Sequence, residues 1–291
     1  MKLKLKTAIK ASASVASIAL LLGGLTFLPS CTEDDNISVP QAQPVEDKAW
    51  TFEETPFWAD EFDVPGKPSS TRWKYEEGNS GWGNNELQYY TKGDNVNIAD
   101  GILTIEARKE EKSGSSYTSS RIITRGLGDF LYGRFEARMK LPPGRGTWPA
   151  FWMLPTDFSY GVWPKSGEID VMEHVGYDPG KVHCTVHTEK NNFANGTQVG
   201  ASKFLADFNT EFHVYRVDWT PFAVRGYVDG EKIFEYTNKN TGYSGWPFNK
   251  RFFMLLNLAV GGNWGGAQGV DDAIFPVKMD VDYVRVYKMV N

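Results

Sequence analysis

The residues best placed to do chemistry lie in one short run, Gly167-Glu168-Ile169-Asp170-Val171-Met172-Glu173-His174. Three carboxyls within six residues suit general acid–base or nucleophilic work. In a regular strand, alternate residues share a face, so Glu168, Asp170 and Met172 would point one way and Glu173 the other. A β-bulge near Val171 or Met172 adds a residue and returns Glu173 to the face of Glu168 and Asp170. The three carboxyls would then follow one another at about 6 to 7 Å along the strand. A retaining glycosidase needs two carboxyls about 5 to 5.5 Å apart, one nucleophile and one acid/base. A third between them can hydrogen-bond the nucleophile and keep the acid protonated, because like charges raise a neighbour's pKa. The plainer alternative is a solvated acidic strand face. A helix is disfavoured by Ile169 and Val171 and by the flanking Pro164, Gly167 and Gly176.

Aromatic residues surround this run. Trp148-Pro149-Ala150-Phe151-Trp152 precedes it, and Trp163-Pro164 stands just before Glu168. Trp82 and Trp264 sit in glycine-rich loops, Gly81-Trp82-Gly83-Asn84-Asn85 and Gly261-Gly262-Asn263-Trp264-Gly265-Gly266. A single Trp is more often core than ligand platform, but Trp in a glycine-rich loop favours the second reading. Sugar rings have apolar C–H faces that stack on such side chains, while Asn, His and Arg serve their hydroxyls.

Strands must position these residues. Gly101–Arg108 and Gly133–Leu141 alternate in polarity, as a sheet with one wet face requires. Asp229-Gly230 within Val224–Tyr236 is a hairpin turn signal. Phe252–Val260 is almost continuously apolar and predicts a central strand buried on both faces. Val281–Tyr287 sets Val281, Tyr283, Arg285 and Tyr287 against Asp282, Val284 and Val286, and closes the domain. Many strands, no persuasive helical period and no internal repeat predict an all-β jelly-roll sandwich of two antiparallel sheets over residues 50–291.

The 291 residues are 41% hydrophobic and 14% aromatic, enough for a sizeable core and unlike a disordered chain. Net charge is −5 with Lys2, Lys4, Lys6 and Lys10 included, and so −9 without them. That balance speaks against nucleic acid as a partner. The four lysines precede a mostly apolar stretch, Ser14–Leu28, too short to span a bilayer, which reads as a secretory signal over residues 1–30. Leu28-Pro29-Ser30-Cys31 resembles a bacterial lipobox with Cys31 as the lipidated residue, although Pro29 is an uncommon occupant; the alternative is an ordinary signal with an incidental Cys. The polar segment 31–49 reads as a tether. Acidic Glu33-Asp34-Asp35 after Cys31 resembles the surface-export signal of some Gram-negative lipoproteins, implying the outer face of the outer membrane, with membrane contact only through the lipid. Cys184 has no partner left for a disulfide and is expected to be a buried small residue.

Taken in order, GWGNNELQYYT (81–91), YGRFEARMKLP (132–142), WPAFWMLP (148–155), WPKSGEIDVMEHVG (163–176), VHCTVH (182–187), NLAVGGNWGG (257–266) and MDVDYVRVY (279–287) resemble glycoside hydrolase family 16, specifically its laminarinase-like β-glucanases. The resemblance implies a concanavalin-like jelly roll with an open cleft. It implies Glu168 as nucleophile, Glu173 as acid/base, Asp170 as assisting acid and a covalent glycosyl-enzyme. His187 matches a position facing the reaction subsite, and Asn84, Arg121, Trp148, Trp152, Trp163 and Asn257 match or adjoin cleft positions; Trp264 joins them from its loop. No cofactor for catalysis is implied. A structural calcium is, at the carbonyls of Glu61 and Gly101 and the carboxylate of Asp282, oxygen ligands of the kind calcium takes; Asp282 could equally be a plain surface carboxylate. The tryptophans fit the β-1,3-glucanase pattern, so the expected substrate is β-1,3-glucan of laminarin type or mixed-linkage β-1,3/1,4-glucan, cut internally. Same-family hydrolases of agarose, porphyran, carrageenan or xyloglucan, or a non-catalytic glycan-binding protein, are the alternatives. A monomer is the default expectation.

Overall fold

A computed structural model describes residues 45–290. Cys31, the signal segment and most of the tether lie outside them.

Two eight-stranded sheets carry the fold. In one, the strands run Glu231–Thr237, Ala223–Val228, His213–Trp219, Gly133–Lys140, Val277–Tyr287, Ile102–Ala107 and Val96–Ala99, with Trp58–Asp60 also on Val277–Tyr287. In the other they run Val199–Phe204, Lys181–His187, Glu168–His174, Thr147–Pro155, Phe252–Val260, Arg121–Ile123 and Lys74–Glu76, with Asp129–Phe130 on Phe252–Val260. Pairing within both is antiparallel. Neighbours in space are mostly distant in sequence, as in a jelly roll. Among the described residues the only helical turns are the 3₁₀ segments Phe193–Asn195 and Asp272–Ile274.

The alternation expected of Gly133–Lys140 is present: Phe135, Ala137 and Met139 are buried while Arg134, Glu136 and Arg138 face outward. Asp229 and Gly230 both take positive φ, 51° and 81°, the two-residue turn that joins Ala223–Val228 to Glu231–Thr237. Cys184 is buried and unpaired.

Every residue of Phe252–Val260 is buried. Phe252, Met254, Leu256, Leu258 and Val260 enter the core between the sheets. Phe253 and Leu255 pack on the opposite face with Ile123, beneath Trp152 and Leu154. At about 1.5–3 kcal/mol for each fully buried large side chain, this strand is a main contributor to cohesion. It is also the floor on which the cleft is built.

One expected pattern needs correction. Val281 is not on the face of Tyr283 and Arg285; it is buried with Val284 and Val286. The register against Gly133–Lys140 slips between Arg138 and Met139, where Asp282 is the extra residue. The bulge flips the alternation halfway along the strand.

Candidate active site

The catalytic-looking strand is Glu168–His174, between Thr147–Pro155 and Lys181–His187. Glu168 pairs with His187, Asp170 with Thr185 and Glu173 with His183, so three residues on one strand span two on the other. The slip against Thr147–Pro155 falls in the same place, with Ala150 opposite Glu173 and Trp152 opposite Asp170. Val171 and Met172 both go into the core. The bulge thus places an extra apolar residue inward and leaves Glu168, Asp170 and Glu173 along one wall of a single cleft.

That cleft has a volume of about 720 Å³. Asn84, Arg121, Trp148, Trp152, Trp163, His187, Asn257 and Trp264, the eight binding positions expected from sequence, all line it. Trp148 donates its indole N–H to Glu173 Oε1 at 3.1 Å and meets Trp264 edge-on at 5.6 Å. Trp152 donates to Asn257 Oδ1 at 2.7 Å. Arg121 is buried, pairs with Glu76 at 2.5 Å, and has its guanidinium between the rings of Trp82 and Trp152, 4.9 Å from each. A planar cation is held this way by two aromatic rings and one carboxylate.

His187 Nε2 lies 3.3 Å from Asp170 Oδ2 and 3.7 Å from Glu168 Oε1. These three side chains could together ligate a metal ion, but the same distances serve a carboxylate pair steered by an imidazole. Asp170 is 1% exposed. Burial raises all three carboxyls. Glu168 is pushed well above the ordinary range by burial first and by the charge of Asp170 second, with His187 opposing. Asp170 is raised to about 8 by burial, against a hydrogen bond with Glu168. Glu173 is raised to about 8 by burial and by Asp170, with His187 and the Trp148 hydrogen bond opposing. Three such groups titrate as one cluster and keep at least one proton among them at neutral pH. Crowded carboxyls that share protons are the electrostatic setting for an acid beside a nucleophile, and here burial raises the nucleophile position as well as the acid.

Sequence reasoning missed several lining residues: Glu86, His183, Thr185, Phe193 and Gln198. Phe193 was hidden in a polar loop. It is held by the 3₁₀ turn that Asn192 caps, and packs on Trp163 at 4.9 Å. His183 and Thr185 could have been read from alternation with His187 along Lys181–His187.

The residues considered for calcium lie on the other sheet. Trp58–Asp60 pairs with Val284–Val286 and Ile102–Ala107 with Val277–Val281, so Glu61 and Gly101 both lead into the stretch of that strand, left unpaired by both, that holds Asp282 and Tyr283. One oxygen of Asp282 is engaged by Arg138 Nη1 at 2.6 Å. A cation held there by Glu61, Gly101 and Asp282 would have to share that carboxylate with the Arg138 guanidinium.

Comparison with known proteins agrees with this geometry. The family model described as glycosyl hydrolases family 16 matches residues 83–285. A β-glucanase of Rhodothermus marinus is 49% identical over 243 residues, covering 80% of this chain and 85% of that protein. The X-ray structure of the laminarinase from Rhodothermus marinus superposes with a TM-score of 0.81 at 47% identity, covering 84% of this chain and all of that one. A mutant of SCLam, described as a non-specific endo-β-1,3(4)-glucanase and crystallised with 1,3-β-D-cellotriosyl-glucose, gives 0.78 at 42% identity over 84% of this chain and 97% of its own. With its carboxylates on a bulged strand, its cleft walled by tryptophans and its sequence matched along most of its length, this chain belongs to glycosyl hydrolase family 16.

Proposed function

We propose that the protein is an endo-acting, retaining β-glucanase that cuts internal bonds of β-1,3-glucan and mixed-linkage β-1,3/1,4-glucan. The observation that carries this reading is the bulged strand, which presents Glu168, Asp170 and Glu173 together in one aromatic-lined cleft. The similarity to enzymes named for these glucans supports the substrate class.

In the first step the Glu168 carboxylate attacks the anomeric carbon. Glu173 gives its proton to the glycosidic oxygen, the C–O bond breaks, and a glycosyl ester forms on Glu168. His187 opposes the effect of burial and favours the charge on Glu168 before attack, while Asp170 shares a hydrogen bond with it. Ester formation removes that charge, and with it the repulsion between Glu168 and Glu173. Glu173, now ionised, takes a proton from water as the water attacks the same carbon. Two inversions return the β-configuration. No cofactor enters either step.

We further propose a surface lipoprotein anchored at Cys31, supported by the basic start, the apolar stretch and the acidic residues after Cys31. It would act as a monomer whose only membrane contact is the lipid and would make oligosaccharides for its own cell. A calcium ion at Glu61, Gly101 and Asp282 would be structural, tying strand edges together.

The test is incubation of the purified protein with laminarin, mixed-linkage glucan, agarose and a sulfated galactan, with product sizing. A ladder of glucan oligosaccharides, formed first as the β-anomer, is expected. No sugar released from either glucan would sink the reading.

A further inference from the structure

The cleft holds a fourth carboxyl, Glu86, to which the mechanism above assigns no part. Its Oε2 accepts from Gln88 Nε2 at 2.7 Å and from the Tyr90 hydroxyl at 3.0 Å, and Asn84 lies close enough to favour its charge. The direction of these bonds is forced. The Trp152 indole can only donate, so the Asn257 atom 2.7 Å away is the amide oxygen. The Asn257 NH₂ therefore faces Tyr90 and donates to its hydroxyl oxygen at 3.1 Å. The Tyr90 proton is left to point at Glu86. Independently, the Val260 backbone N–H donates to Gln88 Oε1 at 2.7 Å, which turns the Gln88 NH₂ toward Glu86. Two chains of donors thus converge on one oxygen, and only an acceptor satisfies both.

The backbone around Glu86 is fixed as well. Glu86 bridges Gly261, Asn263 N–H donates to Asn84 O at 2.7 Å, and Asn85 donates to Asn263 Oδ1 at 2.8 Å. The two glycine-rich loops are one wall, and Glu86 is the point at which its side chains are tied.

We propose that Glu86 is a positioning residue that fixes Asn84 directly, and Asn257 and Trp152 through Tyr90, in the orientation that receives the glucan chain. The proposal rests on the cleft being the glucan site. Glu86 sets the shape of a binding wall and bonds to none of Glu168, Asp170 and Glu173, so its loss acts on KM.

Glu86→Met removes the acceptor. Glu86→Gln keeps one acceptor oxygen and serves as the conservative rescue. Tyr90→Phe breaks only the relay to Asn257. Each full-length variant is measured for KM and kcat on laminarin, and for Kd with a laminari-oligosaccharide in a Glu168→Gln background. We expect Glu86→Met to raise KM and Kd about tenfold with kcat within about twofold, Glu86→Gln to recover most of that loss, and the Glu86→Met/Tyr90→Phe double variant to be no worse than Glu86→Met. Should Glu86→Met fail to fold, Tyr90→Phe alone must raise KM and Kd. Unchanged KM and Kd, losses that multiply, or a loss confined to kcat would overturn the proposal. A parent that cleaves glucan beside indifferent variants overturns only the role of Glu86. A parent that binds glucan without cleaving it overturns the hydrolase reading, and the Kd arm still judges Glu86. A parent that neither binds nor cleaves glucan overturns both.

Discussion

The indole nitrogen of Trp148 lies 3.1 Å from Oε1 of Glu173, so the residue that walls the cleft also adjusts its acid/base. This bond favours the charged carboxylate and opposes the effect of burial. Trp148→Phe keeps an aromatic wall and removes the donor. Glu173 then holds its proton to higher pH. The alkaline limb of kcat/KM should move up by about one unit, and kcat should fall where Glu173 must act as base. A pH–rate profile of the variant reads both; an unmoved limb would contradict the coupling.

The roles of the two outer carboxyls can be separated by rescue with azide. In Glu168→Ala, azide attacks the anomeric carbon once, giving an α-glycosyl azide from a β-substrate. In Glu173→Ala, azide replaces water in the second step and gives the β-glycosyl azide. Without azide, Glu173→Ala should lose about 10² to 10⁴-fold in rate, and Glu168→Ala more. Identical anomers from both variants would refute the assignment.

Asp170 and Glu173 also make stability depend on pH. Folding raises their proton affinities from the ordinary 3.8 and 4.5 to about 8. The folded protein therefore binds more protons than the unfolded chain between those limits. The contribution is complete below the unfolded values and drains away as pH rises through about 8. Asp170→Asn and Glu173→Gln remove the ionisation. Thermal scans should show each variant more stable than the parent at pH 8, by at least ~2 °C, with a smaller gain at pH 5. Equal differences at both pH values would argue against buried charge as the cause.

Gly176 follows the catalytic strand where two backbones nearly touch. A Cβ there would lie 1.7 Å from Gly144 O and 2.4 Å from Thr147 Oγ1. Gly176 also donates its N–H to Thr147 O at 2.9 Å, next to Trp148. Gly176→Ala should cost about 3 kcal/mol or more and displace Trp148. Denaturant unfolding checks the first effect; kcat on laminarin checks the second. A variant with parental stability would show that the contact relaxes at little cost.

The sequence made the periodic parts legible. Gly133–Lys140 and Phe252–Val260 carry their burial in residue type, so residue type alone assigns both. The bulge in the carboxylate strand was inferred only because three acids made sense on one face. The equivalent slip at Asp282 has no chemistry to betray it, and alternation alone puts Val281 on the wrong side. Glu86 was readable in part, since Asn84, Glu86, Gln88 and Tyr90 alternate along one segment. Its importance comes from partners far along the chain, Asn257 and Val260, which no local pattern connects to it. Phe193 depends on a loop conformation set by Asn192, and loop geometry leaves little trace in composition.

The extra residue between Asp170 and Glu173 has one more consequence, for tolerance to shortening. Elsewhere in a sheet, losing one residue turns every later side chain to the opposite side. Here three residues already span two, and Glu173 faces His183 with Val171 and Met172 sharing one inward place. Removal of Met172 would leave Val171 alone in that place, with Glu173 still opposite His183 and still toward the cleft. The strand that carries the chemistry is thus the stretch of this sheet where a single-codon deletion can preserve the orientation of all that follows.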